Sequence, residues 1–209
     1  EATAIIRGEL VEPLNSVLAY ATAQGMKLLP VSREDYRKRH DVSWAEVQRR
    51  YTGATDVWPE GGSNALAIKG VKEILHELDQ PFDVVCAPVG TGGTLAGLIA
   101  GASAGTSVLG VSVLKGGEFL LDDVRGLLAD SGDRECSTWS IELDYHFGGY
   151  AKSTVELREW IAHFSARSGI PLEPVYSGKL FFAVYDMIAK GRFSPDSKVL
   201  IIHTGGVYW

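Results

Sequence analysis

Short, largely apolar runs alternate along the chain with segments in which apolar side chains recur every three or four positions. The runs predict buried strands at residues 3–7, 26–32, 83–87 and 107–114, with a last one beginning at Lys198. Because these runs are continuously apolar rather than alternating, they indicate a parallel sheet that is covered on both faces. Strands that alternate with helices predict the α/β class, with a mostly parallel sheet flanked by helices.

Helical spacing accounts for most of what lies between the strands. Ser32 and Asp35 resemble a capping box at the start of a charged helix, and Ser63 stands where it would cap the helix that follows. The predicted helices run from Leu10 to a stop at Gly25, over 34–51, from the Ser63 cap through Leu78, over 94–104, from Leu157 to near Gly169, and over 177–190.

A loop-rich break divides the chain. Pro59, Gly61 and Gly62 follow one another closely, and we place a domain boundary near residue 56, between a smaller domain 1–56 and a larger domain 57–209. The chain opens with Glu1 rather than methionine and enters the first predicted strand almost at once. We therefore expect an N-terminal portion of the protein to precede it.

Composition and charge exclude several classes of function. Twenty basic and twenty-six acidic side chains give a net charge of −6, which argues against nucleic acid and against anionic membrane surfaces as partners. No secretory leader is evident, and Cys86 and Cys136 are too few for a disulfide scaffold, so we expect a reducing, cytoplasmic location. The five histidines show no ligand spacing, and no metal site is predicted.

The segment Gly90–Thr94, "GTGGT", is the first candidate for chemistry. It joins a predicted strand to a predicted helix, and such loops lie at the carboxyl edge of a parallel sheet, where α/β folds bind ligands. Glycines let the main chain approach an anion closely, the helix N-terminus supplies free N–H groups, and Thr91 and Thr94 add hydroxyls. The loop is therefore suited to an anion, although a glycine-rich turn built for close packing remains the alternative.

Two known nucleotide-binding motifs do not match this loop. A dinucleotide fingerprint needs glycine or alanine where Leu95 stands, and an acidic residue near the end of the next strand, where Lys115 stands. No Gly-Lys-Ser/Thr sequence follows, which excludes a P-loop. A single phosphate is the favoured ligand.

Two later segments, "PVYSGK" at 174–179 and "HTGG" at 203–206, are predicted to reach the same edge of the sheet. With them the chain resembles, over nearly its whole length, the pyridoxal-phosphate-dependent family of D-cysteine desulfhydrases and 1-aminocyclopropane-1-carboxylate deaminases. The segments that carry the resemblance are "IIRGEL", "PEGGSNALAIKG", "VGTGGTLAG", "GGYAK", "PVYSGK" and "LIIHTGG". It implies the two-domain tryptophan synthase β-like fold with an open sheet, pyridoxal 5'-phosphate as cofactor, and a homodimer.

The resemblance also implies roles for particular residues. Gly90, Thr91, Gly92, Gly93 and Thr94 match the loop that holds the cofactor's phosphate. Tyr176 matches a tyrosine beside the cofactor and the substrate, and Tyr150 matches one on the substrate side. Each tyrosine also has a plainer interpretation, since Tyr150 could pack behind a Gly-Gly turn and Tyr176 could anchor a loop.

Ser177 and Thr204 separate the two branches of the family. The deaminases have glutamate and leucine at the matching positions, whereas the desulfhydrases have hydroxyl residues. A hydroxyl hydrogen-bonds the pyridine nitrogen without protonating it, which gives a weaker electron sink that suffices when a thiolate departs. Ser177 could instead be a helix N-cap. The resemblance thus favours α,β-elimination on a small amino acid such as D-cysteine; cysteate and 1-aminocyclopropane-1-carboxylate are the alternatives.

None of the nine lysines stands where the family has its Schiff-base lysine, which lies upstream of the strand matching residues 3–7. Lys179 invites that role, but the lysine at the matching position of the family does not have it. We expect the missing lysine to belong to the preceding portion of the protein. The alternative is a catalytically silent, truncated relative that binds only a phosphate ligand.

Overall fold

The structure, a computed structural model, describes residues 2–39, 41–135 and 137–206. It divides into two compact units, Glu1–Glu60 and Gly61–Trp209. His40 and Cys136 lie outside the described residues. From the sequence, we considered the histidines as metal ligands and the cysteines as disulfide partners. A 3₁₀ turn covers Glu60–Gly62.

The first unit contains a two-stranded parallel sheet, in which Ile5 lies opposite Leu29. Its elements are β1 (Thr3–Arg7), α1 (Ser16–Ala23), β2 (Lys27–Val31), α2 (Arg33–Arg37) and α3 (Val42–Thr52).

Two helix predictions in this unit are wrong at their boundaries. Helix α1 does not begin at Leu10, because the Asn15 side chain accepts the N–H of Leu18 at 3.0 Å and sets the start at Ser16. The charged helix opens on the predicted Ser32 cap, whose hydroxyl accepts the Asp35 N–H at 3.0 Å. It then divides into α2 and α3, because the main chain is extended at Asp41, a residue type that favours helix caps over helix interiors.

The second unit is built on a four-stranded sheet in the order β5-β4-β3-β6, in which all neighbours are parallel. Its strands are β3 (Val84–Val89), β4 (Ser107–Ser112), β5 (Thr138–Glu142) and β6 (Val199–Ile201). The predicted α/β class with a parallel sheet is confirmed. The edge strand β5 carries no continuous apolar run, so the sequence offered no prediction for it.

Helices cover both faces of this sheet. They are α4 (Ala65–His76), α5 (Gly93–Gly101), α6 (Leu120–Ser131), α7 (Val155–Ser168) and α8 (Ser177–Ala189). Val85 and Val89 of β3 belong to a buried cluster with α4, α5 and α6, whereas Cys86 belongs to a second cluster with α8. Successive residues of β3 thus enter different cores, which explains why the strand is apolar throughout.

Cys86 is free and buried, and burial raises the pKa of its thiol to about 12, so it behaves as a small apolar side chain. Within residues 2–39, 41–135 and 137–206, the helices are all too short or too polar to cross a bilayer. The described residues also bring together no group of three or more histidine, cysteine or acidic side chains that could hold a metal ion.

Candidate functional site

The loop Gly90–Thr94 connects the carboxyl end of β3 to the N-terminus of α5. Gly92, with φ of 87°, is the N-cap residue, and no side chain caps this helix. The Gly92 carbonyl accepts the Ala96 N–H at 2.9 Å, but the N–H groups of Gly93, Thr94 and Leu95 have no acceptor among the described residues. Unpaired N–H groups at a helix N-terminus attract an anion.

Close packing leaves little or no room for a side chain at two glycines of this loop and at Gly61, which lies beside it. A Cβ at Gly93 would lie 2.5 Å from the Ser63 hydroxyl oxygen, and one at Gly61 would lie 2.5 Å from that of Thr91. A Cβ at Gly90 would lie 3.2 Å from the ring of Tyr176. The glycines therefore allow Tyr176 and Ser63 to approach the main chain of the loop, and Thr91 to approach that of Gly61.

The sequence predicted that Ser63 caps α4, and this prediction is wrong. The cap is Asn64, whose extended main chain lets its side chain accept the Ala67 N–H at 2.9 Å. The Ser63 hydroxyl instead lies 2.7 Å from the Thr91 hydroxyl oxygen. Sequence reasoning missed Ser63 as a site residue, although it stands in one of the segments that carry the family resemblance, "PEGGSN".

The two predicted tyrosines lie together beside the loop. The Tyr176 hydroxyl donates to that of Tyr150 at 3.3 Å, and their ring centroids are 6.0 Å apart in an edge-on arrangement. Tyr176 covers Gly90, and Tyr150 is 54% exposed. The structure thus places two phenol hydroxyls next to the anion loop.

Ser177 is the first residue of α8, and its side chain is fully buried. Its hydroxyl accepts the Glu173 N–H at 3.0 Å and donates to Glu173, whose Oε1 lies 3.2 Å away. Ser177 is not the N-cap of α8, because the N-cap residue is Tyr176. The Glu173 carboxylate accepts the N–H groups of Val175, Tyr176 and Ser177 and so satisfies the start of the helix. Sequence reasoning missed Glu173; its only signal was an acidic residue just before a helix start.

Thr204 is exposed in the segment that follows β6. This segment lies near the start of α8, since a Cβ at Gly206 would be 3.2 Å from the Glu173 side chain. His203 fixes the segment: its Nδ1 accepts the Gly205 N–H at 3.0 Å, so its Nε2 is left to donate to the Pro171 carbonyl at 2.8 Å. The ring-contact roles of Ser177 and Thr204 stay predictions.

The arrangement around the loop fits the phosphate of the cofactor implied by the resemblance. Unpaired N–H groups lie at the start of α5, and the hydroxyls of Thr91 and Ser63 lie near them. Lys179 lies deeper; it is fully buried, and burial lowers the pKa of its amine to about 8. Its Nζ donates to the Gly149 carbonyl at 2.8 Å.

Comparisons with known proteins show the family to which the chain belongs. Residues 15–205 match the family model described as "Pyridoxal-phosphate dependent enzyme". A Pyrococcus horikoshii protein provisionally named 1-aminocyclopropane-1-carboxylate deaminase is 34% identical over 78% of this chain and 53% of its own length. The Arabidopsis thaliana protein named bifunctional D-cysteine desulfhydrase/1-aminocyclopropane-1-carboxylate deaminase, mitochondrial, is 32% identical over 72% of this chain and 41% of its own length.

A solved structure extends the likeness to the fold. A crystal structure described as an ACC deaminase homologue superposes with a TM-score of 0.76 at 28% identity, over 97% of this chain and 65% of that one. The chain spans about half the length of the two curated relatives, 53% and 41%. The matched family model covers nearly all of this sequence, and the chain belongs to the family of pyridoxal-phosphate-dependent enzymes.

Proposed function

We propose that the protein is a pyridoxal-phosphate-dependent lyase that carries out α,β-elimination on a small amino acid. The favoured substrate is D-cysteine, which would yield pyruvate, sulfide and ammonia. The observation that carries this proposal is the set of unpaired N–H groups of Gly93, Thr94 and Leu95, flanked by two tyrosine hydroxyls. Family membership supports the interpretation that this anion is the cofactor's phosphate.

The residues of the loop would hold that phosphate. The N–H groups at the start of α5 would donate to its oxygens, while the hydroxyls of Thr91 and Ser63, 2.7 Å apart, would donate from the side. The helix dipole adds on the order of 0.3–1 kcal/mol to the binding of an anion at such a terminus.

Pyridoxal phosphate, when bound, supplies the electron sink that stabilises negative charge at the α-carbon of an amino acid. Tyr150 and Tyr176 would orient the substrate, since their hydroxyls are 3.3 Å apart and Tyr150 is open to solvent. Their O–H groups are also suited to hydrogen-bond a departing thiolate. Ser177 and Thr204 would supply the hydroxyl contacts that distinguish the desulfhydrase branch.

Ring opening of 1-aminocyclopropane-1-carboxylate is the second candidate, favoured by the names of the relatives. The Arabidopsis protein carries both activities in its name. Against this candidate, the position of Ser177 holds glutamate in the deaminases. A glutamate there would meet the buried Glu173 carboxylate, which already lies 3.2 Å from the Ser177 hydroxyl.

The test is an assay of the intact protein, loaded with pyridoxal 5'-phosphate, on D-cysteine, L-cysteine, cysteate and 1-aminocyclopropane-1-carboxylate. Visible absorption of the bound cofactor reports loading, and release of a 2-oxo acid and ammonia reports turnover. We expect pyruvate and sulfide from D-cysteine, with L-cysteine as the stereochemical control. A loaded protein that releases no 2-oxo acid from any of these substrates would reject the activity and support the silent ligand-binding relative.

The homodimer and the cytoplasmic location belong to the same proposal. Sedimentation of the purified protein tests the first, and fractionation of the source cells tests the second. A monomer, or a protein recovered only from another compartment, would contradict them.

A further inference from the structure

The turn that carries Tyr150 has an unusual main chain. Phe147, Gly148, Gly149 and Ala151 all have positive φ, at 50°, 97°, 116° and 55°. For phenylalanine and alanine the left-handed region is unfavourable, and a run of such residues persists only where surrounding contacts hold it. The position of Tyr150 thus depends on what ties this turn down.

One face of α8 and its N-cap supplies the ties. Tyr176, Lys179 and Phe182 are spaced three residues apart, a spacing that puts them on the same side of the helix. As the residue number rises along α8, the number of the turn residue that is contacted falls. Tyr176 contacts Tyr150, Lys179 contacts Gly149 and Phe182 contacts Phe147, the last pair with ring centroids 5.0 Å apart.

Lys179 lies at the centre of this face. Its side chain is 0% exposed, and its Nζ donates to the Gly149 carbonyl at 2.8 Å and to the Val113 carbonyl at 3.4 Å. Val113 directly follows β4, so the amine links the turn to the carboxyl edge of the sheet. Burying an amine is unfavourable unless it is hydrogen-bonded, and both of these acceptors are main-chain carbonyls.

Among the described residues, the remaining hydrogen bonds of the turn are local. The Gly149 N–H donates to the His146 carbonyl and the Lys152 N–H to the Gly149 carbonyl, at 3.0 and 3.1 Å. Local bonds of this kind shape a turn but do not attach it to the rest of the unit. Gly149 also packs near Lys115, since a Cβ there would lie 3.4 Å from the Lys115 Cβ. The ring contacts and the amine hydrogen bond come from α8, through an aromatic pair at each end of the turn and Lys179 between them.

We propose that Lys179 is a positioning residue: its amine clamps the turn Phe147–Ala151 to the sheet and thereby holds the Tyr150 hydroxyl beside that of Tyr176. Tyr150, not Lys179, meets the substrate, so this inference rests on the proposed function for its catalytic consequence. It assigns the buried lysine of "YSGK" a task other than attachment of the cofactor.

Lys179→Met tests the clamp, because methionine fills similar space without a donor. Lys152→Met is the matched control, since Lys152 belongs to the same turn region but has an exposed side chain. Amide hydrogen exchange at residues 148–152 is read first, in the intact protein without substrate. We expect at least tenfold faster exchange in Lys179→Met and no change in Lys152→Met.

Steady-state kinetics on D-cysteine are read next. We expect kcat/KM to fall at least tenfold in Lys179→Met, with the affinity for pyridoxal 5'-phosphate changed less than twofold, because the phosphate loop does not involve Lys179. Unchanged exchange at residues 148–152 in Lys179→Met would overturn the clamp, whatever the kinetics. Faster exchange in a protein whose wild type turns over no substrate would support the clamp and reject the proposed function.

Two further measurements keep the inference testable if Lys179→Met does not fold. Lys179→Gln retains one amide donor and should show a smaller increase in exchange at the same residues. In the wild type, the Gly149 and Lys152 amides should be protected as strongly as those in the middle of α8. Exchange of these two wild-type amides at the rate of an open loop would overturn the proposal by itself.

Discussion

The Glu173 carboxylate accepts the main-chain N–H of Ser177 at 2.6 Å and lies 3.2 Å from its hydroxyl oxygen. One buried acidic side chain, 3% exposed, thus satisfies the start of α8 and orients the serine that the family resemblance places at the cofactor ring. The Tyr176 N–H donates to the same carboxylate at 2.7 Å. Helix capping and site geometry therefore depend on the same residue.

Replacement of Glu173 by alanine should destabilise the protein by about 3 kcal/mol. The change leaves the main-chain N–H groups of Val175, Tyr176 and Ser177 and the Ser177 hydroxyl without their charged acceptor, and it removes a favourable charge from a helix N-terminus. Urea unfolding measures the loss. Glu159→Ala, at an exposed position of α7, should change stability by less than about 0.5 kcal/mol. An equal effect of the two changes would contradict the capping role of Glu173.

Ser63 and Asn64 are neighbours with different expected phenotypes. Asn64→Ala should cost about 1 kcal/mol of stability, because the N-cap of α4 is lost. Ser63→Ala should leave stability nearly unchanged but weaken the binding of pyridoxal 5'-phosphate about threefold or more, since one hydroxyl beside Thr91 is removed. Thermal unfolding and cofactor titration separate the two effects. A loss of stability in Ser63→Ala but not in Asn64→Ala would indicate that Ser63 is the cap.

Substitution by alanine should lower the stability of the protein at Gly93 and raise it at Gly70. A Cβ at Gly93 would lie 2.5 Å from the Ser63 hydroxyl oxygen, so Gly93→Ala should cost about 1–3 kcal/mol and weaken binding of the cofactor more than tenfold. Gly70 lies within α4 with open space around it, and Gly70→Ala should stabilise the protein by up to about 1 kcal/mol. Urea unfolding and cofactor titration check both. Unchanged cofactor affinity in Gly93→Ala would argue against the loop as the phosphate site.

Lys179 should make stability rise with pH. Burial lowers the pKa of its amine from 10.5 to about 8, so between these values the unfolded chain binds more protons than the folded one. The free energy of unfolding therefore increases with pH across this window, by about 3 kcal/mol in total, because the cost of burying a charged amine disappears. The wild type minus Lys179→Met difference, measured by urea unfolding from pH 7.5 to 10.5, isolates this effect. A flat or falling difference would contradict it.

Local pattern was sufficient for the strands that are continuously apolar. Strand β1 was predicted at its observed bounds, although its residues are exposed or half-buried, and β3 and β4, which are mostly buried, were predicted within two residues. The loop Gly90–Thr94 was recognisable because its glycines and threonines are contiguous. The sequence did not predict the partly exposed strand β5 or the division between α2 and α3. Each depends on polar residues whose partners are not evident from spacing.

The amino-acid sequence by itself determined the α/β class, the parallel arrangement of the strands that its apolar runs imply, and the family to which the chain belongs. Only the tertiary structure decided that Ser63 turns to Thr91 across 28 residues and that Lys179 reaches Gly149 across 30. Periodicity reports which face of an element is buried. It does not report which distant carbonyl or hydroxyl a buried polar group will meet, because that pairing exists only after the chain has packed.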